Sequence, residues 1–148
     1  MKIVLALGSN LGDLNSNLNG AIDELRKIIE VENISKFHET SPIGGPVQPN
    51  FLNAVIVGES SMNSKELLHA CQEIEKSFGR VRSEHWGPRT LDIDLIIFGS
   101  EIRSEPELTL PHPLAHLRKF VLEPWVEIDP DGEIPGKGKI RKLLAELK

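Results

Sequence analysis

Asp92 and Asp94 are the residues whose types and spacing most directly suggest chemistry, and Arg89 precedes them in the same segment. Successive side chains of a β-strand point to opposite faces, which places both carboxylates on one face with Cα atoms roughly 6.6 Å apart. Two like charges this close are costly to bury without counter-charge. Mg²⁺ would supply it, because this ion prefers carboxylate oxygens and shares its coordination shell with phosphates. The alternative is a solvated face with two acids of no function. The opposite face is expected to carry Leu91, Ile93, Leu95 and Ile97.

A basic cluster precedes the acidic pair in a chain that is otherwise acidic. It comprises Arg80, Arg82, His85 and Arg89, with Trp86 among them. Guanidinium groups match phosphate oxygens with paired hydrogen bonds, so the cluster indicates a polyphosphate site beside the metal. Arg118 is a further candidate for this site. Solvation of a charged loop, and a surface position for Arg118, are the alternatives.

The histidines and the loop-flanking aromatic residues have two readings each. None of the five histidines has metal-ligand spacing with another or with Cys71, so a zinc site is not expected. His112, held between two prolines, is either a phosphate donor or part of a structural hydrogen bond. Phe51 and Phe120 are either core residues or rings that stack on a flat ligand. Surface or core positions are expected for His38, His69 and His116.

Bulk composition excludes several classes of protein. A length of 148 residues suits one domain, and 17 basic against 22 acidic residues give a net charge of −5, which disfavours a general nucleic-acid binder. The single cysteine, Cys71, excludes an intramolecular disulfide and lies on a predicted apolar helix stripe, which favours a core position and a reducing compartment. The apolar N-terminus is too short for a signal peptide, and no run is long enough to span a membrane.

Two glycine-rich segments lack the spacing of a nucleotide-binding loop. Residues 8–12 follow a strand and precede a helix, and residues 135–139 contain lysine, but neither has the G-x-x-x-x-G-K-[ST] pattern. We interpret the first as a turn and the second as a lead into the last helix.

The order of predicted elements is typical of an α+β fold. Strands are predicted over 2–7, 34–40, 51–60 and the Asp-x-Asp segment, and the loop over 42–49 is irregular because of its prolines and glycines. Asp13 is the expected N-cap of the first helix. Asn63 and Glu66 form an expected capping box for the second helix, and Gly79 is its expected C-terminal cap.

This order, strand, helix, strand, strand, helix, strand, predicts a ferredoxin-like antiparallel sheet with both helices on one face and the other face free for a site. A short strand pair ending near Leu110, a turn at 111–113 and C-terminal helices from about Leu114 are expected to complete the core.

Four segments together resemble the 2-amino-4-hydroxy-6-hydroxymethyldihydropteridine pyrophosphokinase family of folate biosynthesis. They are Gly8-Ser9-Asn10, Phe51-Leu52-Asn53-Ala54, Gly87-Pro88-Arg89-Thr90-Leu91-Asp92-Ile93-Asp94-Leu95-Ile96 and Leu110-Pro111-His112. The resemblance runs from the first strand to about Trp125. It implies a single cytoplasmic domain over 1–148 that acts as a monomer and transfers the pyrophosphoryl group of ATP to the pterin hydroxymethyl oxygen, releasing AMP. It implies no nucleic-acid or membrane partner.

The resemblance also implies a role for individual residues. Asp92 and Asp94 would bind two Mg²⁺ ions, and Arg80 and Arg89 would join them in catalysis. The residues implied for ATP are Gln72, Glu75, Arg82, Trp86, Arg89, Leu95, Thr109, His112 and Arg118. Those implied for the pterin are Thr40, Pro42, Ile43, Gly44, Phe51, Asn53 and Phe120. The loops over 40–50 and 79–88 would close over the ligands.

Some positions depart from the pattern of the family. Phe51 stands where some relatives have Tyr, and His85, Glu107 and Pro113 replace residues that contact ATP in some members. None of these is a metal ligand. Two other functions remain open from the residues: a metal-dependent nucleotidyl or glycosyl transferase, and a ferredoxin-like RNA-recognition module, which would need a basic face with exposed aromatic residues.

Overall fold

The computed structural model describes residues 1–41, 49–79 and 90–147. The elements in chain order are β1 (Lys2–Ser9), α1 (Leu14–Leu25), β2 (Glu30–Ile34), β3 (His38–Thr40), β4 (Phe51–Glu59), α2 (Ser64–Ser77), β5 (Asp92–Phe98), β6 (Arg103–Ser104), β7 (Thr109–Leu110), a 3-10 helix (Ala115–Leu117), α3 (Lys119–Ile128), β8 (Glu133–Ile134), β9 (Gly138–Lys139) and α4 (Ile140–Glu146). Within these ranges, no helix has the length and apolar composition that a membrane crossing requires.

The sheet has the predicted ferredoxin-like order. Its strands lie in the order β2-β4-β1-β5, each antiparallel to its neighbour, and β3 pairs with the other end of β4. The central strand β1 is therefore flanked by the strand that carries Asn53 and the strand that carries Asp92 and Asp94. The predicted α+β class and the βαββαβ order are confirmed.

The predicted strand over 34–40 is wrong in its bounds, because Ser35 divides it. Ser35 donates its N–H to the carbonyl of Val55, and its Oγ accepts the N–H of Val55, both at 2.9 Å. The side chain thus replaces a backbone partner, and the hydroxyl donates to the carbonyl of Lys36 at 2.8 Å. Two short strands result, β2 and β3, which both pair with β4.

The sheet buries apolar residues on both faces. On one face the helices α1 and α2 pack over Leu5, Leu7, Ile56 and Ile93. The opposite face, predicted to be free, is partly covered, since α3 and α4 pack there over a second cluster. That cluster is built from Val4, Val55, Val57, Ile96, Ile97, Val121, Leu122, Trp125 and Ile140. Only the end of this face that carries Gly8, Asn53 and Asp92 extends past the cluster.

A bulge in β5 corrects the predicted orientation of Ile97. Leu95 pairs with Leu5 and Ile97 pairs with Val4, so Ile96 is an extra residue in β5. The alternation of side chains shifts at that point. Ile97 consequently joins Ile96 in the second cluster instead of Leu91, Ile93 and Leu95 in the first.

The helix signals predicted from the sequence are confirmed. The Asp13 carboxylate accepts the Ser16 N–H, and Asn63 and Glu66 form the reciprocal capping box. Gly79 follows α2 with a φ of 75°, a value that favours glycine. Cys71 lies in the core beneath α2, where burial, assisted by the charges of Glu75 and Asp94, raises the pKa of its thiol to about 12. The cysteine is therefore a protonated core residue at neutral pH.

Helix α3 is attached to the edge of the sheet by one carboxylate, that of Glu127. Its Oε2 accepts the backbone N–H of Lys36 at 2.8 Å, and its Oε1 accepts from Nε2 of His38 at 2.9 Å. The Lys36 N–H lowers the pKa of the Glu127 carboxyl, and the hydrogen bond from His38 acts in the same direction. The carboxylate is therefore ionised at neutral pH, and both contacts are available.

We predict that Glu127→Gln lowers the melting temperature at pH 7 by about 2–4 °C, as expected for a loss of about 1 kcal/mol. Because folding lowers the pKa of this carboxyl from its ordinary value of 4.5, its stabilisation is present above that value and disappears as the pH falls through the folded value. The difference in melting temperature between the two proteins should therefore shrink as the pH falls below about 4.5. A difference that stays constant down to pH 3.5, or no difference at pH 7, would contradict this account.

Candidate active site at the open end of the sheet

The two aspartates lie on the same face of β5, as predicted. Asp94 pairs with Ala6 and Asp92 pairs with Gly8 on β1, two positions further along, and both aspartates are partly exposed while Ile93 between them is buried. Their neighbours on β1 have little or no side chain, so the face beside the carboxylates is not filled by bulky groups. Arg118 contributes the nearest described cation, with Nη1 3.9 Å from Oδ2 of Asp94.

Four strands contribute one residue each to a row that ends at Asp92. Reading across β3, β4, β1 and β5, the row is His38, Asn53, Gly8 and Asp92. Directly paired residues of antiparallel strands point to the same face, so all four share the face of the aspartates. Strands are spaced about 4.8 Å apart, which separates Asn53 from Asp92 by about 10 Å across the sheet. We call this row the site row.

Gly8 lies between Asn53 and Asp92 in the site row and has no side chain. A Cβ at this position would lie 3.2 Å from Oδ1 of Asn53 and 3.7 Å from Cδ1 of Phe51. Any side chain here would occupy the space between the amide and the carboxylates. The segment predicted only as a turn therefore also provides a floor to the site.

Asn53 is held so that its carbonyl oxygen faces this floor. The residue is 7 % exposed, and its Nδ2 donates to Oγ1 of Thr40 at 2.5 Å and to the carbonyl of His38 at 3.5 Å. These two acceptors fix the orientation of the amide, since only Nδ2 can donate to both of them. Thr40 and Asn53, both predicted at the pterin edge, are thus brought together by β3 and β4.

His112 is a rigid donor beside Asp94. Its backbone N–H donates to the carbonyl of Ile96 on β5 at 2.8 Å, and its Nδ1 accepts the N–H of Leu114 at 3.2 Å. With Nδ1 used as an acceptor, the proton of the neutral ring lies on Nε2. Burial lowers the pKa of His112, Asp94 opposes this shift and Arg118 reinforces it. The structure therefore favours a neutral imidazole that can still donate one hydrogen bond.

Arg118 and Phe120 form a unit at the start of α3. The guanidinium carbon lies 5.4 Å from the centroid of the Phe120 ring, within range of a cation–π interaction. Phe120 is partly buried against the second cluster, and Phe51 is partly exposed at the start of β4. Helix α3 packs on β3 and β4, so both predicted stacking rings belong to elements at this end of the sheet.

Glu75 lies at the outer edge of β5. It is 7 % exposed, and its Oε2 accepts the N–H of Ile93 at 2.7 Å. In the described part of the chain β5 is an edge strand, so this carboxylate satisfies a backbone donor on the side of β5 that faces no described strand. Glu75 thereby holds the residue between the two aspartates in place.

The other described residues predicted for ATP lie on α2, β5 and β7, and Leu95 does not share the face of the aspartates. Gln72 is exposed on α2, Thr109 is exposed on β7, and Leu95 is buried in the first cluster, on the opposite side of β5 from the aspartates. The remaining predicted site residues lie outside the described residues. They are Pro42, Ile43, Gly44, Arg80, Arg82, Trp86 and Arg89, together with His85 among the noted departures.

Two asparagines that the sequence reasoning missed brace the turn after β1. Nδ2 of Asn17 lies within 3.0 to 3.2 Å of three oxygens, those of the Ser9 side chain and the Leu11 and Thr90 carbonyls. Asn10, 1 % exposed, donates to the carbonyl of Pro49 at 3.1 Å. The available signal was an asparagine directly after the end of a buried strand, where a polar side chain needs a partner.

The link between Glu127 and His38 was also missed, since His38 was expected only at the surface or in the core. Glu127 follows Phe120 by seven residues, a spacing that places both on one face of a helix. That spacing could have shown that Glu127 and Phe120 share a helix face. The partner of Glu127 on β3, His38, could not be read from the sequence.

The site combines two carboxylates, a neutral imidazole donor, an arginine and a fixed amide, with aromatic residues nearby. Among the described residues, no group of three or more His, Cys, Asp or Glu side chains is arranged to hold a metal ion by itself. Asp92 and Asp94 would each offer carboxylate oxygens to a cation, and both are partly exposed, so water or oxygens of a ligand could share its coordination shell. That arrangement suits Mg²⁺ with a polyphosphate better than a closed structural metal site.

Comparisons with known proteins show the family of the chain. Residues 4–130 match the model of the family described as 7,8-dihydro-6-hydroxymethylpterin-pyrophosphokinase. The chain is similar to the 2-amino-4-hydroxy-6-hydroxymethyldihydropteridine pyrophosphokinase of Synechocystis sp., with 44 % identity over 97 % of this chain and 74 % of that protein. The proteins of the same name from Mycobacterium bovis and Pseudomonas aeruginosa are 41 % and 36 % identical, over 99 % and 97 % of this chain and 84 % and 90 % of those proteins.

Solved structures show the same fold at low identity. The chain superposes on Plasmodium falciparum HPPK-DHPS A437G with pteroate with a TM-score of 0.77 at 16 % identity, and on the wild-type protein with 0.76 at 15 %. It covers 42 % and 44 % of those longer chains, and 98 % of its own length is matched in each case. From the family match and the identity to its relatives, the chain belongs to the 7,8-dihydro-6-hydroxymethylpterin-pyrophosphokinase family.

Proposed function

We propose that this protein transfers the pyrophosphoryl group of ATP to the hydroxymethyl oxygen of 6-hydroxymethyl-7,8-dihydropterin, giving the pterin diphosphate and AMP. The observation that carries the proposal is the site row, which puts the partly exposed Asp92 and the fixed amide of Asn53 on one face of the sheet with Gly8 between them. One end of the row suits metal and phosphate, and the other suits the polar edge of a heterocycle.

The acidic end would hold the divalent cations. Asp92 and Asp94 fit this role because both are partly exposed on one face and belong to an edge strand held by Glu75. When bound there, two Mg²⁺ ions would neutralise the triphosphate and lower the pKa of the substrate hydroxyl. His112 and Arg118 lie beside Asp94 and would donate hydrogen bonds to phosphate oxygens, and the positive charge of Arg118 would offset negative charge on the transferring group.

The reaction then balances as a single displacement. The hydroxymethyl oxygen forms a bond to the β-phosphorus of ATP, the bond from that phosphorus to the oxygen bridging to the α-phosphorus breaks, and AMP leaves with the bonding electrons. The hydroxyl proton passes to water. The described side chains act by binding, orienting and neutralising charge, which is most of what phosphoryl transfer requires of a protein.

The pterin would lie at the other end of the site row. The Asn53 amide is suited to the pterin ring because its orientation is fixed by Thr40, and a buried polar edge must be paired. Phe51 and Phe120 would cover the two faces of the ring. Proposed roles around the pterin for Pro42, Ile43 and Gly44, and around ATP for Arg80, Arg82, Trp86 and Arg89, rest on the family resemblance.

The remaining expectations are also proposals. We propose that the residues 1–148 act as one pyrophosphokinase domain, as a monomer in the cytoplasm. No nucleic-acid partner is proposed, because the open face carries carboxylates and the net charge is −5.

The products of the reaction test the proposed function. With ATP, Mg²⁺ and 6-hydroxymethyl-7,8-dihydropterin, the protein should release AMP and the pterin diphosphate in equal amounts, measured by ion-exchange chromatography. Formation of ADP would indicate a simple kinase, and a transferred nucleotidyl group would indicate a nucleotidyl transferase. Either product pattern would overturn the proposal.

Removing one carboxylate tests the role of the acidic pair. Asp94→Ala and the isosteric Asp94→Asn should abolish turnover without unfolding the protein, because the side chain is partly exposed and its loss leaves no cavity in the core. Asp23→Asn, an exposed acid on α1, is the matched control and should retain full activity. Activity of an Asp94 variant within about tenfold of wild type, a barrier change under about 1.4 kcal/mol, would refute the role in metal binding.

The floor of the site is tested by Gly8→Ala. The added Cβ would press on Asn53 Oδ1, so the KM for the pterin should rise about tenfold, equivalent to about 1.4 kcal/mol, while the KM for ATP should change less than about twofold. Gly8 is not among the glycines with positive φ, so the melting temperature should change little. An unchanged pterin KM would show that the pterin does not approach Gly8.

A further inference from the structure

The contact between Glu127 and the sheet connects the two elements that carry the proposed pterin contacts. On β3, His38 and Thr40 are two residues apart and share the face of Asn53 and Phe51, their partners on β4. On α3, Glu127 lies about 10.5 Å along the axis from Phe120 and on the same side of the helix. Each element thus carries a proposed pterin contact and, further along, a member of the Glu127–His38 pair. On β3 these are Thr40 and His38, and on α3 they are Phe120 and Glu127.

We propose that Glu127 and His38 are positioning residues that set the separation between the Phe120 end of α3 and the Thr40–Asn53 edge of the sheet, and thereby the fit of the pterin ring. This inference rests on the proposed function.

Two separate hydrogen bonds make this contact directional. Glu127 accepts the Lys36 N–H through Oε2 and the imidazole of His38 through Oε1, at 2.8 and 2.9 Å. A carboxylate held at both oxygens cannot rotate freely, and each bond involves an ionised acceptor, which makes it stronger than a neutral one. The apolar cluster beneath α3 holds the helix on the sheet, and these bonds restrict how far it slides or tilts.

The contact lies at the rim of the layer, outside the apolar core. The side chains of His38 and Glu127 are 28 % and 30 % exposed, whereas Val121, Leu122 and Trp125 of the same helix are at most 1 % exposed. Removing the contact should therefore leave the helix packed and the protein folded. The loss should instead change the separation and angle between Phe120 and the Thr40–Asn53 edge of the sheet.

In the site row, His38 is hydrogen-bonded to Asn53, the proposed pterin contact. The carbonyl of His38 accepts from Nδ2 of Asn53, whose second acceptor is Thr40 Oγ1. A displacement of β3 would thus disturb the amide directly. Asp92 and Asp94 lie on β5, at the far side of β1, so the metal and ATP end of the site should be little affected.

Steady-state kinetics of matched variants test the proposal. Glu127→Ala should raise the KM for 6-hydroxymethyl-7,8-dihydropterin about tenfold, with kcat and the KM for ATP within about twofold of wild type. His38→Ala should act in the same direction, and His38→Gln, which retains a donor, should restore most of the loss. In the double variant His38→Ala/Glu127→Ala the pterin KM should equal that of Glu127→Ala alone, since Glu127→Ala already removes the hydrogen bond that His38→Ala removes.

Glu123→Ala is the control, because Glu123 is exposed on the same helix and pairs only with Lys119 among the described residues, at 3.8 Å. Its pterin KM should match wild type. All measurements are made at least 15 °C below the melting temperature of each variant, so that a loss of folded protein does not alter KM. Should Glu127→Ala fail to fold, the pair His38→Ala and His38→Gln, which keeps the Lys36 contact, decides the question.

An active wild type whose pterin KM is unmoved by Glu127→Ala or His38→Ala would overturn the inference alone. Equal changes in kcat, ATP KM and pterin KM would also overturn it, since they would indicate a merely structural role. A wild type that forms neither AMP nor pterin diphosphate would instead overturn the proposed function on which the inference rests.

Discussion

The repulsion between Asp92 and Asp94 is the constraint on which the rest of the site depends. Both carboxylates lie on one face of a strand whose other face is fully buried in the first core. Such a pair is tolerated only where water, a cation or a ligand can reach it. The fold leaves both carboxylates partly exposed and places the small residues Ala6 and Gly8 beside them on β1.

The two faces of the sheet have different roles. One face gives the strands rigidity, and the other face carries the site. The face beneath α1 and α2 is a continuous core, which fixes the positions of β1, β4 and β5. The other face is packed under α3 and α4 over the second cluster, and the site row lies beyond the members of that cluster. A site at that boundary has a rigid floor from the strands and a wall from the start of α3, where Arg118 and Phe120 lie. Catalysis by positioning and charge neutralisation requires this kind of support.

Local patterns in the sequence predicted much of this arrangement. The alternation of the Asp-x-Asp strand from Leu91 to Leu95, the caps at Asp13 and Asn63 and the order of elements depend on neighbouring residues, and each of these predictions was confirmed. The division of the second strand at Ser35 was not predicted, because it depends on a hydroxyl that pairs with a distant strand. The turn of Ile97 toward the second cluster was missed for the same reason, since the bulge exists only in the pairing with β1.

The role of individual site residues was harder to predict than their identity. Family resemblance assigned Glu75 to ATP, whereas its buried carboxylate also satisfies an edge backbone donor at Ile93. Coverage of the second face by α3 and α4 was unexpected, because amphipathic helices in a sequence do not state which face of a sheet they bury. Partners that meet only after folding, such as Glu127 with His38, carry no periodic signal of their own.

Binding of Mn²⁺ in place of Mg²⁺ tests the central claim most directly, because electron paramagnetic resonance counts the bound ions. In the presence of a non-hydrolysable ATP analogue, the wild type is predicted to bind two Mn²⁺ ions per chain. Asp92→Asn and Asp94→Asn are each predicted to lose at least one ion or to bind at least tenfold more weakly. Wild-type binding of Mn²⁺ by both variants would contradict the account.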